Sequence, residues 1–241
     1  MLNAEIWQYI LFFFISSCLG WIMEVTCKLI QFHRFINRGF LIGPYCPIYG
    51  FGAVIVTALL SRYEGEPVTV FVLAMVLCGT LEYLTSYFME KLFHARWWDY
   101  SHKRFNLNGR VCVDTLIPFG LLGMLMVYVV KPFLFGRMAQ MPQDALRIVC
   151  IALTAGILFD AALSTTILGK IRKTANLSGE DDTEAIAQAV REHLARNSAL
   201  VRRVLSAFPY AKLYNKPLME KLKQRRREIR RELEKKIKRQ V

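Results

Sequence analysis

Five stretches of this chain stay apolar for about twenty residues each, with the charged residues gathered mainly between and after them. A bilayer interior offers no water to backbone amides, so such stretches cross it as helices of about 20 residues. The runs extend from Ile6 to Leu29, Phe40 to Leu60, Pro67 to Phe93, Val111 to Phe135 and Ala145 to Leu168. The expected fold is all-α: a polytopic membrane protein of five transmembrane helices followed by a helical tail. Two of the runs are interrupted. Gly43, Pro44, Pro47, Gly50 and Gly52 break the second, and Pro118, Gly120 and Gly123 break the fourth. Pro44 and Pro47 each remove a backbone donor, so the start of the second span is expected to be unwound or re-entrant.

Charge divides the chain in two. Residues 1–169, the expected transmembrane domain, carry 12 Lys+Arg against 10 Asp+Glu. Residues 170–241, the expected basic cytoplasmic tail, carry 20 against 9. A chain 54% hydrophobic with a net charge of +13 is not disordered, and it is a poor candidate for an ordinary soluble enzyme. Lys28, Arg34 and Arg38 separate the first two runs, and five basic residues from Lys91 to Arg110 separate the third and fourth. Between the second and third there is only Arg62, with Glu64 and Glu66. The positive-inside rule then places the N-terminus outside and the C-terminus in the cytoplasm. Lys131, Arg137 and Arg147, on the opposite side, fit this less well. Only Glu5 is charged before Trp7, so the first run lacks the basic start of a secretion signal and reads as a retained span.

A weak internal duplication runs through these spans. An apolar run, Met23-Glu24, a basic loop, Asn37-Arg38-Gly39 and a Pro47-x-x-Gly50-x-Gly52 stretch are followed by a similar series. The second series is an apolar run, Met89-Glu90, a basic loop, Asn108-Gly109-Arg110 and Pro118-x-Gly120-x-x-Gly123, with Glu82 as an alternative counterpart of Glu24. Both halves would cross in the same sense, giving a parallel repeat of the kind that places a transporter's site between its halves. The alternative is chance recurrence of Gly, Pro and Glu.

Carboxylates inside a membrane are costly, about 2.5–3.5 kcal/mol at a helix centre on insertion scales, and they mark sites or buried pairs. Glu24, Glu82, Asp114 and Asp160 qualify, with Glu90 near the cytoplasmic end. Glu82, Ser86, Glu90 and His94 recur every four residues, a polar ribbon on one helix face that faces other helices or a wet cavity. Such a ribbon is a substrate or ion path or a proton relay; equally, it is a set of ion pairs to Arg38, Arg96 or Arg110 that only hold a bundle together. The segment Arg96-Trp97-Trp98-Asp99-Tyr100-Ser101 suits a membrane–water interface. It reads either as an anchor or as a surface that recognises a headgroup or planar ligand by stacking and ion pairing, continued by Asn106, Asn108 and Arg110. No phosphate loop, hydrolase motif or dinucleotide fingerprint occurs. The six cysteines form no C-x-x-C pair and the four histidines have no ligand spacing, so neither cofactor nor metal is expected. Small apolar packing is the plain role of the cysteines.

In the tail, Asp181-Asp182-Thr183-Glu184 opens an amphipathic stretch through Ile186, Val190 and Leu194, and Pro209 and Pro217 break the chain. From Lys216 onward a stripe of Leu218, Leu222, Ile229, Leu233 and Ile237 is flanked by 12 Lys+Arg and 4 Asp+Glu. Such a helix lies on an anionic leaflet, docks on a partner or pairs as a coiled coil; nucleic acid is not an expected partner.

Several strings together resemble a bacterial membrane family. They are Gly20-Trp21-Ile22-Met23-Glu24-Val25, the run Asn37-Arg38-Gly39-Phe40-Leu41 continuing to Gly43-Pro44 and Cys46-Pro47-Ile48-Tyr49-Gly50, Glu82-Tyr83 to Met89-Glu90, and Arg96-Trp97-Trp98-Asp99-Tyr100-Ser101. Over roughly residues 5–170 the chain is similar to the ABC transporter permeases of the CmpB type. The resemblance implies an integral protein of the bacterial plasma membrane, a transport permease without its own ATPase, a separate ATPase subunit and a homodimer enclosing the path. The residues expected along that path are Glu24, Arg38, Glu82, Ser86, Glu90, His94, Arg96, Trp97, Trp98, Asp99, Tyr100, Asn108, Arg110 and Asp114. The rival reading is a membrane-embedded enzyme or binder acting on lipid headgroups at the cytoplasmic face through Glu90, His94, Asp99 and Arg110. A third is a scaffold that recruits a partner through the tail.

Overall fold

The computed structural model describes residues 2–177 apart from Arg34, Ile36, Arg38, His94 and Trp97, and adds the backbone of Lys212–Leu213. The expected tail helices, and the site candidates Arg38, His94 and Trp97, lie outside the described residues. Within them the chain is almost entirely helical. The helices are α1 (Leu2–Phe32), α2 (Pro47–Leu60), α3 (Pro67–Phe93), α4 (Val113–Leu125), α5 (Lys131–Met138) and α6 (Gln143–Leu177). A 3-10 turn (Ser61–Tyr63) follows α2, and a π turn (Met126–Val130) joins α4 to α5 without a break. The strands are two-residue pieces: β1 (Ala95–Arg96), β2 (Asn106–Leu107), β3 (Val111–Cys112) and β4 (Lys212–Leu213). β2 pairs antiparallel with β3, and β4 with β1.

Four helical stretches are long and apolar enough to cross a membrane: Glu5–Gln31, Pro67–Leu92, Val113–Met138 and Gln143–Thr166. The second expected span differs. Its helix begins only at Pro47 and has 14 residues, too short to span alone. Residues 39–46 ahead of it hold no helix; Gly43 and Pro44 lie there, and Pro47, which has no amide donor, opens α2. This non-helical segment folds back along α1. Trp21 Nε1 donates to Asn37 Oδ1 at 2.7 Å, and the Cys46 amide donates to the Ser17 carbonyl at 2.9 Å. Ser17 lies near the middle of α1, so α2 starts at mid-depth and not at a membrane face.

Irregular backbone at that depth needs partners from the protein, because lipid supplies none. Asp160 on α6 provides them. Its carboxylate accepts the Ile42 amide at 2.9 Å, the Gly43 amide at 2.7 Å and the Tyr45 hydroxyl at 2.5 Å. Ser164, one turn along α6, donates to it at 3.0 Å. Asp160 itself is buried.

Small residues bring the helices together, the usual device where the hydrophobic effect gives no drive between helices. A Cβ at Gly50 of α2 would run into Ser17 Oγ and Phe13 of α1, and one at Gly123 of α4 would strike Ala74 of α3. α2 is enclosed on two sides. Val56 and Leu60 pack with Val70, Ala74 and Val127, while Ala53 packs with Phe12 and Met138. Pro118 is accommodated inside α4, and the π turn follows it by two helical turns. The cysteines are free, and Cys46, Cys112 and Cys150 are buried among the helices.

Two substitutions test this packing. Gly50→Leu overpacks the α1–α2 contact and is expected to destabilise by about 1–3 kcal/mol, read as a lower thermal midpoint in detergent. Asp160→Leu leaves two part-buried amides and a phenol without an acceptor, each costing up to about 1–3 kcal/mol. It should lower the midpoint further than Asp160→Asn, which keeps one carbonyl oxygen. Equal midpoints for the Leu and Asn variants would show that the carboxylate does not hold this segment.

Candidate functional site

The polar ribbon on α3 does turn inward. Glu82 and Ser86 are buried, Glu82 being 7% exposed, and Glu90 is half-buried. What meets Glu82 is a loop that returns from the end of α3. Glu82 lies eleven residues before Phe93, about 16 Å at 1.5 Å per residue, so the loop descends some three helical turns to reach it. Tyr100 Oη donates to Glu82 Oε1 at 3.2 Å. On the other carboxyl oxygen, Thr115 Oγ of α4 lies 3.3 Å from Oε2. The same Thr115 hydroxyl is 2.8 Å from the Cys112 carbonyl.

The loop is rigidly built. Leu107 to Arg110 form a tight turn, with Asn108 (φ 54°) and Gly109 (φ 68°) both left-handed and the Arg110 amide donating to the Leu107 carbonyl at 3.0 Å. Two positive φ values in sequence suit an Asn-Gly pair and match the twist of a hairpin. The Tyr100 amide donates to the Gly109 carbonyl at 2.8 Å, and Trp98 Nε1 to the Arg110 carbonyl at 3.0 Å. Asp99 accepts from the Ser101 amide and hydroxyl, folding the chain just after Tyr100. Asn106 Nδ2 donates to the Lys103 carbonyl, and Asn106 Oδ1 accepts the Gly109 amide. These bonds fix Tyr100 where it meets α3.

A second carboxylate reaches the same place from the other half of the chain. Tyr49, the third residue of α2, donates its hydroxyl to Glu24 of α1 at 2.7 Å. Burial pushes the Tyr100 phenol up from its ordinary value, the carboxylate of Glu82 pushes it further, and the charge of Glu24 adds to both. Tyr100 is therefore a neutral donor with two carboxyl groups in its field. The cluster brings together α1, α2, α3, the loop and α4.

Toward the C-terminal end of α3 the arrangement is an ion pair. Arg110 Nη1 donates to Glu90 at 2.8 Å, and its guanidinium packs against the rings of Tyr83 and Tyr87, with centroids at 5.7 and 5.4 Å. Asn108 Nδ2 donates to the Tyr83 hydroxyl at 3.0 Å. Of the carboxylates singled out in the sequence, Glu90 is thus engaged by Arg110. Asp114 is exposed and pairs with Lys103 at 3.1 Å, away from Glu82. Asp160 serves the backbone of residues 42–45. Arg96 is described through its backbone in β1, and its side chain lies outside the described residues. Tyr49, Tyr83, Tyr87 and Thr115 were not foreseen: they are uncharged, and only folding brings them to the acids. No group of His, Cys, Asp and Glu among the described residues is arranged to hold a metal ion.

Searches of curated proteins and of solved structures find no match for the chain. A family model does match, and its limits, residues 11–165, enclose α2 to α5, the loop and every member of the polar cluster. That family is the CmpB-type group described as "Putative ABC-transporter type IV", and the chain belongs to it.

Proposed function

We propose that this protein is the membrane-embedded permease subunit of a transporter whose ATPase is a separate chain. The observation that carries the reading is the polar cluster of Glu24, Tyr49, Glu82, Tyr100 and Thr115. It gathers on five elements inside an otherwise apolar bundle, where mere stability would favour apolar packing. Under this reading the path runs along the α3 ribbon past Glu82 and Glu90, and the segment Arg96–Ser101 gates its cytoplasmic end. Residues 1–169 form the transmembrane unit and residues 170–241 a cytoplasmic tail. The topology is five crossings in the bacterial plasma membrane, N-terminus outside and C-terminus inside, with residues 39–46 completing the crossing that α2 begins. Two copies would enclose one path.

The parallel repeat belongs to the same proposal, with Glu24 matched to Glu82 and not to Glu90. Each long helix is followed by a returning segment with a left-handed glycine, Gly39 (φ 98°) in one and Gly109 in the other. Each segment ends in a buried, extended cysteine, Cys46 or Cys112, that starts the next helix. The third residue of that helix, Tyr49 or Thr115, then sets a hydroxyl against the glutamate of the preceding long helix. Helices that begin inside the membrane and face the interface between repeats are how several transporters build their sites.

Purification from the native membrane in mild detergent, followed by mass spectrometry, tests the proposal. A nucleotide-hydrolysing subunit is expected at fixed stoichiometry. In proteoliposomes, its ATPase coupling should fall at least tenfold with Glu82→Ala and stay unchanged with Lys103→Ala at the exposed pair. A bound lipid in fixed ratio and no ATPase would overturn the permease reading in favour of headgroup handling.

A further inference from the structure

Glu82 is unusual among the acids of this bundle in the company it keeps. Glu90 has Arg110, Asp114 has Lys103, and Asp160 has two amides and two hydroxyls. The partners of Glu82 among the described residues are two hydroxyl groups, those of Tyr100 and Thr115. Among the described residues, the other titratable groups around it bring no positive charge. They are Glu24 of α1 with its partner Tyr49 of α2, Tyr100 of the loop, Cys112 of β3, and Cys78 one turn back on α3. The cation that the loop sets against the ribbon, Arg110, is taken by Glu90 two turns further along. A buried carboxylate with a second carboxylate nearby and no cation among the described residues beside it favours the protonated form, since an uncompensated buried charge is costly.

Counting protons leads to the same place by a separate route. A threonine hydroxyl has one proton to give. Thr115 Oγ is 2.8 Å from the Cys112 carbonyl, which can only accept, and 3.3 Å from Glu82 Oε2. With its proton on the carbonyl, Thr115 has only lone pairs to offer Glu82. The contact is then a hydrogen bond when the carboxyl oxygen bears the proton, and a repulsion between two oxygens when it does not. Tyr100, donating to the other oxygen, fits either state and holds the carboxylate once the proton has gone.

We propose that Glu82 is a proton-binding site: a neutral carboxylic acid, donating to Thr115, whose proton is the exchangeable occupant of the path. Release breaks the O–H bond of the acid, passes the proton to water admitted to the cluster, and leaves the carboxylate on Tyr100. This deepens the transport reading above, yet its test needs no transport.

The test is infrared difference spectroscopy of the purified full-length protein in lipid nanodiscs, following the C=O stretch of protonated carboxyl groups from neutral to alkaline pH. The wild type is expected to show such a band at neutral pH that fades as the pH rises. Glu82→Gln should lack it and Glu24→Gln should keep it. Two further variants retain the acid, so the result does not depend on Glu82→Gln folding. Tyr100→Phe removes a donor that favours the ionised form, and should move the titration to higher pH. Thr115→Val removes the acceptor of the acid's proton and should move it lower, with Thr115→Ser near wild type. An upward move with Thr115→Val would mean that Thr115 donates to a carboxylate, and the proposal fails. It fails equally if Glu82→Gln retains the full band or if Glu24→Gln abolishes it. A band assigned to Glu82 in a protein that has no ATPase partner would leave the proton site standing and remove only the permease reading.

Discussion

Backbone that leaves the helix inside a membrane must find its hydrogen bonds in the protein, and much of this structure answers that demand. Residues 39–46 enter the bundle without helix, and their amides at Ile42 and Gly43 end on one carboxylate, Asp160. That anchor lets α2 begin at mid-depth, with Cys46 bonded to the middle of α1. Because α2 begins there, Tyr49 stands beside Glu24 and Gly50 sits against Ser17. The position of the polar cluster thus depends on a contact with α6, whose Asp160 takes no part in the cluster itself.

The second returning segment solves the same problem differently. It bonds much of its backbone within itself through an Asn-Gly turn and short strands, and meets α3 through the side chains of Tyr100, Asn108 and Arg110. One half of the molecule therefore borrows an anion from a distant helix for its backbone, and the other pairs much of its backbone locally. The two arrangements nevertheless place hydroxyl groups against Glu24 and Glu82 in closely similar ways. Under the proposed parallel repeat, that similarity is the shared part and the way each returning segment is held is the part that differs.

The sequence carried the broad plan well because apolar length is a strong signal. The third span was placed at its observed limits, and the ribbon of Glu82, Ser86 and Glu90 turned inward as its four-residue spacing implies. Pro44 and Pro47 forecast the loss of helix ahead of α2. The role of Asp160 was not legible, since three of its four partners lie more than a hundred residues away and two of those are backbone amides. Asp114 read as an intramembrane acid because it follows Val113 in an apolar run, yet as the second residue of α4 it faces Lys103. The turn at Asn108–Gly109 was signalled by its dipeptide and went unread within a segment judged by its charges and tryptophans. Tyr49 and Thr115 had no signal of their own, because a hydroxyl on an apolar helix becomes informative only when an acid is found opposite it.

The Asp160 anchor also sets an order of events during synthesis. The segment it holds leaves the ribosome some 115 residues earlier than the aspartate does, an interval of about 6–23 s at ordinary elongation rates of roughly 5–20 residues per second. Throughout that time Ile42 and Gly43 have no carboxylate to bond. The helices ahead of α6 can be made one after another, but residues 42–45 cannot settle onto Asp160 until α6 arrives. The start of α2 is therefore fixed late, by a helix made after every member of the polar cluster it positions.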